Sequence, residues 1–383
     1  MKAVHFGGGN IGRGFIGLLL SKAGYRVQFV DVDKQLVELL QQRGQYTVTL
    51  ANETAESAIV DNVTAIDGND KERVAQAIAE ADLVTTAVGV NVLKYISQTI
   101  SEGIAKRLAS NPSALHIIAC ENTIGGSTQL KNLVYEHLPT TLRARADEYI
   151  AFPDAAVDRI VPIQQNEDRL MVVVEPFYEW VVDRSVMLEG FHEIPGVHYA
   201  ERLQPYIERK LFTVNTGHCC AAYHGYLNGY ETIQEVMKDS GIVAEVRGAL
   251  GETGAALILQ YGFDSSEHNK YIDKILERFR NPYLTDEVVR VGRSPIRKLS
   301  PNDRLVSPAK AAHDNGLPAI NLTRAMAAAF MFDYKEDPEA IEIQRSIQGL
   351  GIAEAISKYT GLSADHPLHG QVMAGYAAFK ERK

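Results

Sequence analysis

Lys2-Ala-Val-His-Phe6, Gly7-Gly-Gly-Asn-Ile-Gly12 and the apolar run that continues to Leu20 open this chain and decide its fold. The pattern predicts a short buried strand, a Gly-x-Gly-x-x-Gly turn and the first turns of a helix. In such a unit Gly7 permits the tight turn, Gly9 lets the backbone approach a pyrophosphate, and Gly12 lets the helix pack closely on the strand. Free N–H groups at the start of the helix then face the negative charge of a bound phosphate.

The residues after this turn indicate which dinucleotide would bind. Gly24 stands where a helix-ending glycine is expected, and a second strand, Arg26–Val30, runs directly into Asp31. A carboxylate about 20 residues past the fingerprint can accept both ribose hydroxyls of NAD and repels the 2′-phosphate of NADP. We therefore predict an NAD-binding Rossmann unit, with a glycine-rich turn in another α/β unit as the alternative. The cofactor-binding residues expected from this segment are Gly7, Gly8, Gly9, Asn10, Ile11, Gly12 and Asp31.

The first half of the chain alternates between strand-like and helix-like segments. Helices are predicted over 34–42, 70–80 (with Asp70 as N-cap) and 95–109, and strands over 83–88 and 115–119. This alternation indicates a parallel sheet covered on both faces, and ligands bind beyond the carboxyl ends of such strands. Further cofactor contacts are therefore expected at Val88, Gly89, Asn91 and Asn122. The apolar runs 170–174 and 178–182 are expected to extend the same sheet.

Helical patterns dominate from about residue 195 onward. The predicted helices cover 232–238, 242–259, 270–279, 321–332 and 338–358. The predicted fold is thus α/β: a Rossmann-type doubly wound parallel sheet, followed by a mostly α-helical C-terminal domain. The predicted boundaries are 1–194 for the NAD-binding domain with its extended sheet, and 195–383 for the substrate-binding and catalytic domain.

Composition narrows the class of partner. The 383 residues carry a net charge of −9, from 39 basic and 48 acidic residues, which argues against nucleic acid as a partner. The apolar run after Lys2 is too short for a signal peptide, and no run approaches the roughly 20 residues that span a bilayer. Three cysteines cannot form a disulfide framework. We expect a cytoplasmic protein with a small-molecule substrate, no membrane contact, and a monomeric or small homo-oligomeric state.

The segment Lys210-Leu-Phe-Thr-Val-Asn215-Thr-Gly-His218 offers the groups that a nicotinamide-dependent enzyme needs. Such an enzyme needs a base for the alcohol proton and donors for the developing oxyanion. On an α-helix Asn215 and His218 would lie about 140° and 80° from Lys210, so the three could share a face. Lys210, next to cationic Arg209, could act as the base if desolvation lowers its pKa. A surface lysine, a turn asparagine and a core histidine are the alternative that spacing alone leaves open.

Two other polar clusters are candidate ligand-binding sites. His218, Cys219, Cys220 and His224 suggest zinc, but adjacent cysteines diverge on a helix and the histidine spacing differs from that of helical zinc ligands. We therefore predict no metal. Farther along, Arg297, Lys298 and Arg304 form a basic cluster in a proline-bounded loop. From composition, this cluster is either a solvated run or a phosphate-binding site.

Several of these motifs recur together in one known family. They are Lys2–Gly14, Ala87–Asn91, Cys120–Asn122, Phe152–Ile160, Glu175–Trp180 and Glu208–His218. With them the chain resembles the polyol-specific long-chain dehydrogenases over nearly its whole length, and most closely their bacterial branch that acts on mannitol 1-phosphate. The Lys-x-x-x-x-Asn-x-x-His pattern is that family's catalytic signature.

The resemblance implies a reaction and assigns roles. Mannitol 1-phosphate and NAD⁺ would give fructose 6-phosphate, NADH and a proton. Lys210 would be the general acid/base, with Asn215 and His218 on the reacting oxygen and no metal. The cluster of Arg297, Lys298 and Arg304 would then hold the phosphate. Asp154 stands where mannitol 2-dehydrogenases carry an asparagine that binds the oxyanion, so the resemblance does not assign Asp154 to that site.

Three alternatives stay open at this point. The nearest is a relative that acts on an unphosphorylated polyol or a hexuronate, of the mannitol 2-dehydrogenase or fructuronate reductase type. The second is the 3-hydroxyacid or 6-phosphogluconate type. Its Lys-to-Asn spacing is one residue shorter than in this chain, and its motif has no counterpart of His218. The third is a non-catalytic NAD-binding sensor.

Overall fold

The chain folds into two units, Met1–Tyr206 and Ile207–Lys383. The computed structural model describes residues 1–110, 112–162 and 164–381. The first unit is built on a parallel sheet and the second is almost entirely helical, so the predicted fold class is confirmed. The domain boundary after residue 194 stays a prediction.

A six-stranded parallel sheet forms the centre of the first unit. Its strands are β1 Lys2–Phe6, β2 Arg26–Asp31, β5 Val63–Asp67, β6 Leu83–Thr86, β7 Leu115–Ala119 and β8 Ile150–Ala151. They lie in the order β5-β2-β1-β6-β7-β8, which places the strand of the glycine fingerprint in the middle. Phe6 at the end of β1 pairs with Val30 on one side and Thr86 on the other, so the carboxyl ends share one edge.

The prediction that residues 170–174 and 178–182 extend this sheet is wrong. Two separate three-stranded sheets contain the strands β10 (Val172–Val174) and β11 (Glu179–Asp183). An apolar run reports that a strand is buried, but it carries no information about its pairing partner. The first small sheet consists of β10, β3 Tyr46–Leu50 and β4 Ser57–Val60, and the second of β11, β9 Ala155–Asp158 and β12 His198–Ala200.

Helices cover the faces of the large sheet. The helix of the glycine fingerprint has a π-helical segment, Gly12–Gly17, before α1 (Leu18–Lys22), and Gly24 follows it at φ +83° as predicted. Asp70 caps its helix, because its carboxylate accepts the Arg73 N–H at 3.1 Å. The other helices are α2 Lys34–Arg43, α3 Lys71–Ala79, α4 Leu93–Ser110, α5 Gly126–His137 and α6 Thr140–Tyr149, with short 3₁₀ turns at Val90–Val92 and Arg184–Val186.

One continuous helical run, 204–227, leads into the helices of the second unit. It comprises α7 Gln204–Arg209, a π-helical segment Lys210–Asn215 and α8 Thr216–Leu227. The remaining helices are α9 Ile233–Val236, α10 Ser240–Tyr261, α11 Ser265–Phe279, α12 Val288–Gly292, α13 Pro295–Lys298, α14 Val306–Asp314, α15 Ile320–Phe330, α16 Pro338–Leu350, α17 Ile352–Thr360 and α18 Pro367–Lys380.

The prediction of a single helix over 338–358 is therefore wrong, because the helix is interrupted between α16 and α17. Gly351 separates the two at φ +83°, a conformation that an α-helix does not contain. The core of the second unit lies around α15, whose alanines pack at full burial among the neighbouring helices. Among the described residues, no helix combines the length and apolarity that a membrane span requires.

Candidate active site

The glycine turn has the close contacts that its sequence predicts. Gly7 has φ +100° and donates its N–H to the Val30 carbonyl at 2.9 Å. A Cβ at Gly12 would lie 1.9 Å from the Gly7 carbonyl oxygen. At Gly9, by contrast, a Cβ would meet no protein atom within 4 Å. Gly7 and Gly12 are thus required by packing, whereas Gly9 faces open space at the ligand-binding edge of the sheet.

Asp31 supports this turn with its side chain. One carboxylate oxygen accepts the Gly8 N–H at 2.7 Å, and the other accepts the Asp33 N–H at 2.9 Å. Each oxygen of an ionised carboxylate has two lone pairs, so both can accept a second hydrogen bond. The same group can therefore anchor the loop and bind ribose hydroxyls.

A buried arginine directly after the fingerprint could not be predicted from the sequence. The Arg13 guanidinium donates to the Gly8 carbonyl, and to the carbonyls of Leu170 and Arg169, both at 3.2 Å. Burial lowers the pKa of this group. The residue that follows the last glycine of the fingerprint gives no local signal of such a role. In the fold, Arg13 fixes the outer side of the glycine turn to the segment that precedes β10.

A buried carboxylate organises the next two strand ends. Glu121, just past β7, accepts the Thr86 hydroxyl at 2.8 Å and the Val88 N–H at 3.0 Å. Its burial raises the pKa of the carboxyl. This contact positions the segment that begins at Val88, where cofactor contacts are expected. The predicted cofactor residues that are exposed or half-buried at this edge are Gly9, Asn10, Ile11, Val88, Gly89, Asn91 and Asn122.

Asp154 also lies in the first unit, where it caps a helix start. Its carboxylate accepts the Thr128 N–H at 2.9 Å and the Thr128 hydroxyl at 2.6 Å. These bonds fix Asp154 to the first turn of α5.

Lys210 and Asn215 are the first and last residues of the π-helical segment. There the N–H of Thr216 donates to the Leu211 carbonyl, five residues back. A turn with i→i+5 bonds contains more residues than an α-turn, so residues five apart move toward the same face. The α-helical angles used in the sequence analysis do not apply here. His218 follows Asn215 by three residues on a regular α-helix and so neighbours it.

His218 is held from two sides. Its Nε2 lies 3.0 Å from the Asp286 Oδ2, and its ring stacks on Phe279 with centroids 4.8 Å apart and planes at 15°. Burial would raise the pKa of Asp286, but His218 and Arg290 outweigh burial and lower it. Asp286 could not be predicted from the sequence, because nothing in the local pattern links it to a histidine so far away along the chain.

The residues of the predicted phosphate site occupy three different environments. Arg297 is exposed and Arg304 is partly buried, with its Nε donating to Asp303 at 2.7 Å. Lys298 is only 3% exposed, and its ammonium donates to the carbonyls of Val291 (2.6 Å) and Arg293. Burial, reinforced by the charges of Arg304 and Arg297, lowers the pKa of Lys298 to about 8.

Thr216 connects this basic loop to the π-helical segment Lys210–Asn215. Its hydroxyl donates to the Arg304 carbonyl at 2.6 Å and lies 3.1 Å from the Leu211 carbonyl. This contact could not be predicted from the sequence pattern. The hydroxyl therefore joins the π-helical segment to one end of the basic cluster.

Two of the three cysteines, Cys219 and Cys220, are buried in the core of the second unit, and Cys120 is buried in the first. Cys219 and Cys220 are at most 1% exposed, and the Cys219 thiol donates to the Thr216 carbonyl. Within the described part of the chain, no three or more His, Cys, Asp or Glu side chains are grouped to hold a metal ion. Metal independence stays a prediction.

Two family models cover almost the whole chain. The Mannitol dehydrogenase Rossmann domain matches residues 1–196, and the Mannitol dehydrogenase C-terminal domain matches residues 202–371. The chain therefore belongs to the mannitol dehydrogenase family, and the resemblance noted from its motifs is confirmed.

Particular relatives refine this assignment. The chain is 54% identical over 381 residues to a Mannitol-1-phosphate 5-dehydrogenase of Brevibacillus brevis. This alignment covers 100% of this chain and 99% of the relative. It is 48% identical over 374 residues to the enzyme of that name from Bacillus subtilis, with 97% and 99% covered.

Solved structures share the fold. A substrate-free D-sorbitol dehydrogenase matches with a TM-score of 0.83 at 17% identity, covering 99% of this chain and 93% of that one. A Pseudomonas fluorescens mannitol 2-dehydrogenase, in a ternary complex with NAD and D-mannitol, matches with a TM-score of 0.75 at 17% identity, covering 100% and 92%.

Proposed function

We propose that this chain interconverts D-mannitol 1-phosphate and D-fructose 6-phosphate, with NAD as the hydride carrier. The observation that carries the proposal is the full-length match, at 54% identity, to a relative named for that activity. The site agrees with it in chemistry. One unit offers a glycine turn beside an acidic residue for a dinucleotide, and the other offers a lysine, an amide and an imidazole on one helical run.

The residues of the first unit fit NAD. The open space at Gly9 suits a pyrophosphate, with the loop residues Gly7–Gly12 around it, and the Asp31 carboxylate suits the ribose hydroxyls. Val88, Gly89, Asn91 and Asn122 would border the same cofactor. When bound, NAD supplies the hydride acceptor for alcohol oxidation.

Lys210, Asn215 and His218 are the proposed catalytic residues. During oxidation Lys210 takes the proton of the substrate hydroxyl, and during reduction it returns the proton. The Asn215 amide and the His218 imidazole donate to the same oxygen as negative charge develops on it. The π-helical segment supports this division of roles, because it turns the lysine and the amide toward a common face. The proposed mechanism uses no metal.

The phosphate of the substrate is assigned to the basic loop. Arg297 is exposed, so its guanidinium can pair with a phosphate in the two-pronged geometry that arginine favours. Lys298 has committed two ammonium hydrogens to carbonyls, and it adds positive charge from beneath the surface. Arg304 completes the cluster.

A cytoplasmic location and a monomeric or small homo-oligomeric state are further proposals.

A substrate panel tests the proposed function. NADH formation is measured by absorbance with NAD⁺ and mannitol 1-phosphate, mannitol, sorbitol 6-phosphate or 6-phosphogluconate as the substrate. We expect mannitol 1-phosphate to give the highest kcat/KM. Preference for free mannitol would favour the mannitol 2-dehydrogenase type. Oxidation of 6-phosphogluconate alone would favour the 3-hydroxyacid or 6-phosphogluconate type. NAD binding without turnover of any polyol phosphate would indicate a sensor.

A further inference from the structure

A buried carboxylate lies against the imidazole that the proposed mechanism places on the reacting oxygen. We propose that Asp286 is the positioning residue for His218, holding its ring with Nε2 protonated and leaving Nδ1 as the nitrogen that serves the substrate. This inference rests on the proposed function, because it assigns a part within the same reaction.

The two carboxylate oxygens of Asp286 have different partners. Oδ2 lies 3.0 Å from His218 Nε2, while Oδ1 accepts a hydrogen bond from the Arg290 Nε at 2.8 Å. Arg290 stands one turn farther along, and it prevents the carboxylate from rotating away from the histidine. A carboxylate only accepts hydrogen bonds, so the ring nitrogen that faces it carries a hydrogen.

The backbone around Asp286 is as firmly held as its side chain. Its carbonyl accepts the Ile233 N–H at 2.9 Å, and its own N–H donates to the Gln234 side chain at 3.3 Å. Next to it, Glu287 forms an antiparallel bridge with Thr232. The side chain of Asp286 is 7% exposed. The carboxylate is therefore a fixed group of the interior and not a mobile surface acid.

Phe279 restricts the ring from a second direction. Its ring is nearly parallel to the imidazole, with an interplanar angle of 15° and a centroid distance of 4.8 Å. Stacking fixes the plane of the ring, and the carboxylate fixes its rotation within that plane. With both in place, one ring nitrogen is committed to Asp286 and the other is free of that contact.

The pairing also decides which ring nitrogen can meet the substrate. The charge of Asp286 is balanced by Arg290, and His218 lies against the same carboxylate. Because Nε2 carries the hydrogen that faces Asp286, Nδ1 is the nitrogen left for the substrate oxygen. Nδ1 accepts a hydrogen bond from the substrate hydroxyl, or donates one when it carries a hydrogen, while Lys210 takes or returns the proton of the reaction. Asp286 thus acts only through His218.

The test compares Asp286→Asn with a matched control, Asp239→Asn. Asp239 is also in the second unit, but its carboxylate caps α10 through the Gly241 and Ile242 N–H groups and accepts the Tyr230 hydroxyl. We expect Asp286→Asn to lower kcat for mannitol 1-phosphate by about 10- to 100-fold. Loss of the hydrogen-bond partner that orients a histidine has an effect of this size in metal sites. KM for NAD⁺ should stay within twofold, and the control should keep its kcat within twofold.

A double-mutant cycle separates positioning from a merely structural role. If Asp286 acts through His218, adding Asp286→Asn to His218→Ala should lower kcat no further. A second full loss in that background would overturn the inference, as would a single variant with wild-type kcat. These outcomes are distinct from failure of the proposed function, which would appear as wild-type protein inactive on mannitol 1-phosphate.

A measurement on the unmutated protein keeps the inference testable even if the asparagine variant does not fold. Nitrogen-15 NMR of histidine-labelled protein reports which ring nitrogen carries hydrogen, and His218→Ala assigns the signal. We expect a hydrogen on Nε2 of His218 at neutral pH. A bare Nε2 with the hydrogen on Nδ1 alone would contradict the inference.

Discussion

Alanine substitutions at Gly9 and Gly12 test two different demands within one turn. The Cβ of Gly12→Ala would lie 1.9 Å from the Gly7 carbonyl oxygen and 2.7 Å from His5 Nε2. Non-bonded heavy atoms are in comfortable contact at about 3.5 Å, so the backbone must move by roughly 1.5 Å. We expect a stability loss of about 3 kcal/mol or more, the upper range for overpacking. For a unit of this size, that is roughly 6–12 °C in Tm.

Gly9→Ala should behave in the opposite way. No protein atom lies within 4 Å of its added Cβ, so the free energy of unfolding should change by only about 0.5 kcal/mol. If a pyrophosphate occupies that space, the methyl group displaces it from the loop N–H groups. Loss of one charge-assisted hydrogen bond, about 1.5–3 kcal/mol, raises the Kd for NADH by about 10- to 100-fold.

The assay for both variants is thermal unfolding together with calorimetric titration of NADH. The expected pattern is a lowered Tm for Gly12→Ala, and a normal Tm with weakened NADH binding for Gly9→Ala. Wild-type affinity in Gly9→Ala would show that the pyrophosphate does not approach this glycine. A wild-type Tm in Gly12→Ala would refute the packing argument.

Three further predictions concern charge. Asp31→Ala should weaken NAD binding and narrow the preference for NAD over NADP, and wild-type protein that uses NADP as well as NAD would contradict the role of Asp31. Arg297→Ala should lower kcat/KM for fructose 6-phosphate by about 10- to 100-fold but leave the slow reaction with fructose unchanged, and an equal loss on both would exclude a phosphate role. Because the pKa of Asp286 is lowered in the fold, its charge stabilises the protein above its unfolded pKa of about 3.9, and this stability is lost as the pH falls through the folded pKa. Asp286→Asn should therefore unfold more easily than wild type at pH 7, with the difference shrinking below about pH 4; a difference independent of pH would contradict this reasoning.

The glycine turn and the parallel sheet could be predicted because their signals are local. Gly7, Gly12 and Asp31 stand at spacings set by one strand, one turn and the next strand, and each has the contact expected of it. The sheet membership of residues 172–174 could not be predicted in this way. Burial on both faces gives the same apolar run, whichever strands are its neighbours.

The candidate catalytic residues show the same limit. Lys210, Asn215 and His218 were found by spacing and by family resemblance, but no residue pattern announces a π-helical segment, whose bonding depends on tertiary packing. Asp286 was invisible because its partner is distant in the chain. The break at Gly351 has a signal in the sequence, a glycine within a long helical pattern, and the positive φ of this residue ends the helix.

We propose that this chain oxidises mannitol 1-phosphate with Lys210 as the general base. The pH dependence of kcat for wild type and Lys210→Ala, measured alongside NADH affinity, tests this role. We expect a loss of about 10²–10⁴-fold in kcat, disappearance of the rising limb of the pH profile, and unchanged NADH binding. Near-normal turnover of Lys210→Ala across the pH range would contradict it.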